Sequence, residues 1–543
     1  MLGQMMQRPL LISDIITYAA EMYPDSEIVS VRTEGDIHRQ TFAETNKRVA
    51  QLGNALRAHG IETGDRVATL AWNGYRHFEL YYAISGIGAV CHTINPRLSV
   101  EQMIYIVNHA EDKVICVDTT FVPLLEAIKS HLPADLTYII MTDRAHMPDN
   151  SLDALCYEEL LVGQPDSITW PEFDENTASG LCYTSGTTGN PKGALYSNRS
   201  TVLHALYVAM TVGPSIPPES KILPVVPLFH VSAWGVPYFA PLMGHSLIMP
   251  GGALDGPSLW KLMDDEKVTS AWGVPTVWLG LMAEIKAQGR KPTDFSHVVV
   301  GGSAAPRSMI EDFEKQDVNV VHAWGMTETS PLGTHGSMPS WVMEKPFDKM
   351  IDYKSLQGRR VFGVEIKIVD DQGNPLPHDG KSVGELYVRG NAVVSGYFKN
   401  EEATKAAMDA DGWFGTGDVA IITPDSFLSL QDRAKDLVKS GGEWISSIDL
   451  ENAAMAHPAI ANCAVIAVPH PKWDERPVLM AVAAGDERPS LAEIQSLMGE
   501  HFAKWQLPDD LVWVEELPMT ATGKVSKLTL RKNLGDYKLP DQR

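Results

Sequence analysis

Residues Tyr183–Gly193 read Y-T-S-G-T-T-G-N-P-K-G. Three glycines, four small hydroxyl residues and a lysine within eleven positions suit a loop that wraps a polyphosphate. Glycine lets backbone N–H groups approach, hydroxyls donate hydrogen bonds, and Lys192 neutralises charge. The loop is not a Walker A element, because Gly186 is followed by T-T-G-N-P and no G-K-[S/T] closes it. A surface turn rich in Gly, Ser and Thr has the same composition; the Pro-Lys-Gly ending favours the phosphate reading.

Outward from this loop, residues 40–300 alternate helical patterns with short apolar runs. Thr41–His59 has apolar residues at helical spacing, Gly60 and Gly64-Asp65 interrupt it, and Val67–Ala71 reads as a strand. Val114–Val117, Tyr138–Met141 and Val298–Val300 are further buried-strand runs that end in turn residues. The alternation predicts an α/β fold with mainly parallel sheets, whose ligands sit beyond the carboxyl ends of the strands. Gly301-Gly302-Ser303 follows Val298–Val300, and Gly325–Thr329 follows Val320–Ala323. From about Gly358 the texture changes. Val364–Val369 and Glu385–Val388 alternate like half-exposed strands, which predicts a small β-rich subdomain over about 358–434. The polar run Gln431–Asp436 marks a boundary near Lys435. Residues 1–434 are expected to form a large N-terminal domain, and 435–543 a small C-terminal α+β domain.

Composition narrows the function. At 543 residues the chain exceeds one ordinary core. A net charge of -23 argues against nucleic acid or an anionic membrane as partner. Polyanionic ligands would need local cations, and Lys192, Arg433, Lys439 and Lys524 are candidates. The five cysteines are scattered without C-x-x-C spacing, which indicates neither disulfides nor zinc and suits a reducing cytoplasm. The apolar stretch Ile222–Leu254 is broken by five prolines, so it reads as strand, loop and helix around a pocket, with no stable membrane insertion.

A second loop, His322–Ser330, reads H-A-W-G-M-T-E-T-S. Thr327 and Glu328 set a hydroxyl beside a carboxylate, as a phosphate–Mg²⁺ site requires; the same pair would also cap a following helix.

Together these loops, with Lys524 in P-M-T-A-T-G-K, resemble the adenylate-forming superfamily of acyl-CoA synthetases, luciferases and peptide-synthetase adenylation domains. The resemblance implies two mainly parallel sheets in the N-terminal domain and a mobile C-terminal domain. It also implies that ATP is split to AMP and pyrophosphate through an acyl-adenylate. By that resemblance Thr184, Ser185, Gly186, Thr187, Thr188, Gly189 and Lys192 hold the phosphates. Gly302, Ser303, Ala304, His322, Ala323, Trp324, Gly325 and Thr327 border the adenine and α-phosphate. Asp418, in W-F-G-T-G-D, and Arg433, in D-R-A-K-D, take the ribose, and Mg²⁺ rests on Glu328 with Thr184 close by. Lys524 matches the catalytic lysine, which would bridge the attacking carboxylate and the α-phosphate. Lys435 matches the hinge. Lys439, Gly441, Gly442, Glu443 and Trp444 resemble the loop that meets CoA, although Lys439 also reads as a solvated surface lysine.

The segment Pro227–Val231 is similar to the one bearing an aromatic gate in acyl-CoA synthetases, with His230 as the gate. Val231, Trp234 and Gly302 would line the acyl pocket with it. Trp234, placed one helical turn beyond His230, would shorten the tunnel toward a short or medium acid, or is plain core. W-N-G-Y-R-H (72–77), G-I-G-A-V-C-H-T-I-N-P-R (86–97) and V-P-H-P-K-W-D-E-R-P (468–477) look like the medium-chain fatty-acyl-CoA ligase branch. Within it the resemblance points to bacterial ligases of 3-methylmercaptopropionate. A small carboxylic acid, ATP and CoA are the expected partners, and the family resemblance implies a homodimer. The rival classes are a peptide-synthetase adenylation domain, a luciferase-like oxygenase and a nucleotide-binding protein without catalysis. With Lys524 close to the last residue given, no carrier domain is expected, and the retained Lys192, Thr327, Glu328, Asp418, Arg433 and Lys524 speak against lost catalysis.

Overall fold

A computed structural model describes every residue except 2, 185–189, 434, 442, 500–501, 521–523, 536 and 543, and the side chain of Glu443. Two large sheets dominate the first 360 residues. The seven-stranded sheet has six parallel strands and closes with the antiparallel hairpin Ala178–Thr184 and Lys192–Ser197. The nine-stranded sheet has six parallel strands, including Ser270–Gly273, His297–Val300 and Asn319–Gly325, with antiparallel strands at both edges.

The central strands are buried along their whole length, as Ser270–Gly273 and His297–Val300 illustrate. Helices cover parallel sheets on both faces, which is why these strands read as unbroken apolar runs. Helix Phe42–Ala58 begins where Thr41 and Glu44 form a reciprocal capping box, and helix Val100–Ala110 does the same with Ser99 and Gln102.

A four-stranded antiparallel sheet follows (Val364–Val369, Gly384–Gly390, Phe414–Ile422, Leu428–Arg433). Arg359–Arg360 pairs instead with the nine-stranded sheet, so the antiparallel sheet starts at Val364. Beyond it, Val438–Ser440, Glu443–Ile445, Ile460–His470, Asp474–Ala483 and Asp510–Trp513 form a five-stranded sheet. Three helices pack there, Ser447–Ala454, Leu491–Met498 and Lys527–Leu534, around apolar clusters that include Leu450, Val465 and Ile466. The architecture is thus mixed α/β: parallel sheets, an antiparallel subdomain and a small C-terminal unit. All five cysteines are free and buried. Among the described residues no helix is long and apolar enough to cross a membrane.

Candidate active site

Two adjoining cavities open at the carboxyl ends of the nine-stranded sheet. The larger, about 520 Å³, brings together Thr184, Lys192, His230, Trp234, Thr327 and Glu328. The smaller, about 260 Å³, is lined by Ser303, Ala304, His322, Asp418 and Asp432 among others. Gly302, Ala323, Trp324, Gly325, Arg433 and Lys524 border both. Lys524 therefore stands at their junction, although it comes from the far end of the chain.

Local structure places that lysine. Thr520 N–H donates to the Lys524 carbonyl at 2.6 Å, and Lys524 N–H donates to Thr520 Oγ1 at 3.1 Å. The helix that follows is anchored by Lys527 on Glu451 at 2.8 Å and by Arg531 on Asp436 at 2.5 Å. Burial, reinforced by the Arg433 charge and opposed by Asp418 and Glu328, lowers the Lys524 pKa to about 8.

On the smaller cavity, Asp418 is 5% exposed and fully engaged. Trp324 Nε1–H donates to Oδ2 at 2.9 Å, and Arg433 Nε meets Oδ1 at 2.6 Å. Asp418 and Arg433 face each other across the antiparallel pair. Trp324 thus acts as a hydrogen-bond donor as well as a wall. His322 donates from Nδ1 to the Ser355 carbonyl at 3.1 Å, and its Nε2 accepts the Ala305 N–H at 3.3 Å. That pairing requires a neutral ring, and burial does lower the His322 pKa to about 4. It holds the Gly301–Pro306 loop in place. Gly302 has φ +82°, and a Cβ there would come 3.0 Å from Val274 and 3.8 Å from Lys524 Cε, so glycine is required.

On the larger cavity, Thr184 and Lys192 are the last cross-strand pair of their hairpin. The residues between them that the sequence assigns to phosphate, Ser185–Gly189, lie outside the described residues. Glu328 is 5% exposed. Tyr397 Oη–H donates to its Oε1 at 2.7 Å, and the Tyr397 ring lies 4.9 Å from Lys192 Nζ. Burial raises the Glu328 pKa; the Tyr397 hydrogen bond and the Arg433 and Lys192 charges oppose the rise. Thr327–Thr329 is a single 3₁₀ turn leading into strand Leu332–His335, so the helix-cap alternative for Thr327 and Glu328 falls. Among the described residues no group of three or more His, Cys, Asp or Glu gathers to cage a metal. A lone buried carboxylate beside hydroxyls fits a cation that takes most of its shell from phosphate and water.

His230 and Trp234 line the same cavity, and burial, then the Lys524 and Arg97 charges, hold the His230 pKa near 3. His230 is thus a neutral ring and not a proton carrier. Trp234 is not one right-handed turn beyond it. Val231, Ser232, Ala233 and Trp234 all have φ between 45° and 57°, and Gly235 follows at 80°. This left-handed turn lays the indole across Gly301 and Gly302, so close that a Cβ added to each glycine would meet it at 3.2 and 3.7 Å respectively. Left-handed backbone costs about 1–2 kcal/mol per non-glycine residue, so the surrounding packing enforces it.

Lys435 borders the larger cavity. Lys439, Gly441 and Trp444 border neither. Trp444 is 39% exposed with Lys439 Nζ 4.4 Å from its ring, and Gly441 sits under Trp473. Gly442 and the Glu443 side chain lie outside the described residues. Sequence reasoning missed Tyr397, Trp473 and His335; only Trp473 falls within a quoted motif.

Residues 16–398 match the model of the AMP-binding enzyme family, and residues 449–524 match the AMP-binding enzyme C-terminal domain. The chain belongs to the AMP-binding enzyme family. As a member it is 49% identical over 549 residues to 3-methylmercaptopropionyl-CoA ligase of Ruegeria lacuscaerulensis, with 99% of each chain covered. It is 48% identical over 541 residues to medium-chain-fatty-acid–CoA ligase of Ectopseudomonas oleovorans, covering 99% of this chain and 98% of that one. This AMP-binding enzyme also shares its fold with a solved anthranilate CoA ligase in complex with anthranoyl-AMP. The TM-score is 0.86 at 23% identity, over 97% of this chain and 98% of that one.

Proposed function

We propose that the protein is an AMP-forming acid–thiol ligase that works in two steps. The supporting observation is the position of Lys524, which borders both cavities together with Gly302, Trp324 and Arg433. Adenosine lies in the smaller cavity, with its ribose diol on the Asp418 carboxylate and Arg433. The triphosphate lies along the hairpin that ends at Thr184 and Lys192, beside Thr327. Glu328, with Thr184 nearby, would hold the magnesium that accompanies ATP, which would neutralise phosphate charge there. Tyr397 orients Glu328 and shelves Lys192.

In the first step the acid's carboxylate oxygen attacks the α-phosphorus, and the bond to the β-phosphate oxygen breaks to release pyrophosphate. Lys524 offsets the repulsion between the two anions and stabilises the charge that develops. In the second step the CoA thiol attacks the acyl carbonyl, loses its proton and expels AMP. The loop of Lys439, Gly441, Gly442, Glu443 and Trp444, in which Lys439, Gly441 and Trp444 are exposed, meets CoA after residues 435–543 pivot about Lys435 against residues 1–434. His230 closes the path between CoA and the acyl pocket. The acid is 3-methylmercaptopropionate or a fatty acid of about four to ten carbons, and the enzyme acts as a cytoplasmic homodimer.

The test is pyrophosphate release with ATP, Mg²⁺ and CoA across acids from propionate to palmitate, with 3-methylmercaptopropionate included and AMP and acyl-CoA quantified together. A peak at short acids, with AMP equal to acyl-CoA, is expected. Pyrophosphate without acyl-CoA would move the acceptor elsewhere. Silence across the panel would return the protein to the non-catalytic class.

A further inference from the structure

Lys527 opens the helix Lys527–Leu534, three residues after Lys524. A cation in the first turn meets the positive end of the helix dipole, and this side chain is only 12% exposed. Such a placement needs partners. Nζ lies 2.8 Å from Glu451 Oε1 and 3.6 Å from Asp432 Oδ2. It also donates to Ser447 Oγ, whose own hydroxyl donates to Asp432 Oδ2. Burial works against the charge, but Glu451 and then Asp432 outweigh it and raise the Lys527 pKa. The ammonium therefore stays charged among protein groups.

Those groups come from both sides of the boundary at Lys435. Glu451 and Ser447 belong to helix Ser447–Ala454, on the same side as Lys527. Asp432 precedes the boundary, on strand Leu428–Arg433. It stands beside Arg433 and pairs with Val419, as Arg433 pairs with Asp418. The contact of Lys527 with Ser447 and Asp432 thus joins the Lys524 turn to the strands that present Asp418 and Arg433. Between Lys527 and Lys524 the link is short and stiff. Ser526 N–H donates to the Pro518 carbonyl at 2.7 Å, and Thr520 N–H donates to the Lys524 carbonyl. The Arg531–Asp436 pair provides the contrast. Both of its residues follow Lys435, so it braces the helix within its own unit and does not reach across.

We propose that Lys527 is a positioning residue for the first step: its contact with Ser447 and Asp432 registers the Lys524 ammonium against Asp418 and Arg433, and parts when residues 435–543 pivot. The proposal rests on the two-step ligase reading. A buried ion pair adds little stability over an apolar contact, but it can specify one arrangement. A reacting group has to be held within about 0.5 Å of its productive place.

The experiment measures the half-reactions separately, with 3-methylmercaptopropionate and octanoate as acids. The first is single-turnover pyrophosphate release with ATP and Mg²⁺ in the absence of CoA. The second is acyl-CoA formation from ready-made acyl-adenylate. Lys527→Met, which keeps the length and drops the charge, should slow the first step at least about tenfold, toward the roughly 10²-fold cost of a displacement near 1 Å. The ATP concentration for half-maximal rate should hardly move, and the second step should be unchanged or faster. Lys527→Arg should recover part of the first step. Three results overturn the proposal. Equal losses in both steps would make Lys527 a structural anchor. A higher ATP requirement at an unchanged maximal rate would make it a nucleotide contact, since it lines the smaller cavity. A full first-step rate would make the contact idle. If Lys527→Met fails to fold, Ser447→Ala decides, because it removes the bridging hydroxyl and leaves the charges in place. It should slow the first step alone about fivefold, the worth of one hydrogen bond; no loss, or equal loss in both steps, overturns the proposal. Failure of the ligase reading looks different: wild-type enzyme then releases no pyrophosphate with any acid.

Discussion

The two cavities that meet at Lys524 are built in opposite ways. On the smaller one two buried polar groups arrive already paired: Asp418 by Trp324 and Arg433, His322 by Ser355 and Ala305. The larger one has charged groups near the hairpin that ends at Thr184 and Lys192 but an apolar wall of Val208, Val212, Trp272, Val299 and Leu332. Preorganised dipoles fix where a common reactant lies and need no rearrangement as charge develops. An apolar wall reads size and shape, worth about 0.8 kcal/mol per methylene. On the ligase function proposed above, the first cavity would serve chemistry shared by many acids, and the second would select among them.

The largest effect should come where the cavities join. Lys524→Ala is expected to cost at least about 10²-fold in acyl-adenylate formation, the loss that follows removal of one preorganised donor. Thioester formation from ready-made acyl-adenylate should fall far less, and equal losses in both half-reactions would refute a role confined to the first. The pH profile sharpens this. With a free-enzyme pKa of about 8, Lys524 is charged below that pH and neutral above it. Adenylation kcat/KM should therefore drop about tenfold per unit above pH 8, and Lys524→Arg should move that limb beyond the measurable range.

Next comes the paired cavity. Asp418→Ala leaves Trp324 Nε1–H and Arg433 without their shared acceptor. The KM for ATP should rise about 30-fold, the equivalent of about 2 kcal/mol for a charged hydrogen-bonding partner, while the KM for the acid stays within about threefold. Parallel rises in both would erase the distinction between the cavities.

How much of this was legible beforehand follows a physical line. Strands buried on both faces announced themselves as apolar runs, and Val364–Val369 was bounded to the residue because alternation and flanking turns are local signals. The motifs around Thr184, Gly302, Trp324 and Asp418 were also visible, and the structure gathers those residues around two cavities, whereas Gly441 and Trp444 border neither. What stayed hidden depends on partners far away in the chain. Tyr397 matters because it lies beside Glu328 and Lys192, contacts across 69 and 205 positions. The turn Val231–Trp234 reads V-S-A-W, a sequence with no left-handed signal except the glycine after it, so tertiary packing overrode local preference there.

That turn bears on the smallest of the expected effects. Because the Trp234 indole lies across Gly301 and Gly302 and borders the larger cavity, it is placed to close an acyl path. Trp234→Ala should admit about two further methylenes, each worth about 0.8 kcal/mol, and so raise the kcat/KM ratio of octanoate to pentanoate about tenfold. Trp234→Phe should fall between the two. The alternative is that the indole only supports the strained turn. In that case truncation would depress all acids together and lower the melting temperature, with the ratio unchanged, because losing packing under a left-handed segment releases the backbone without lengthening the pocket.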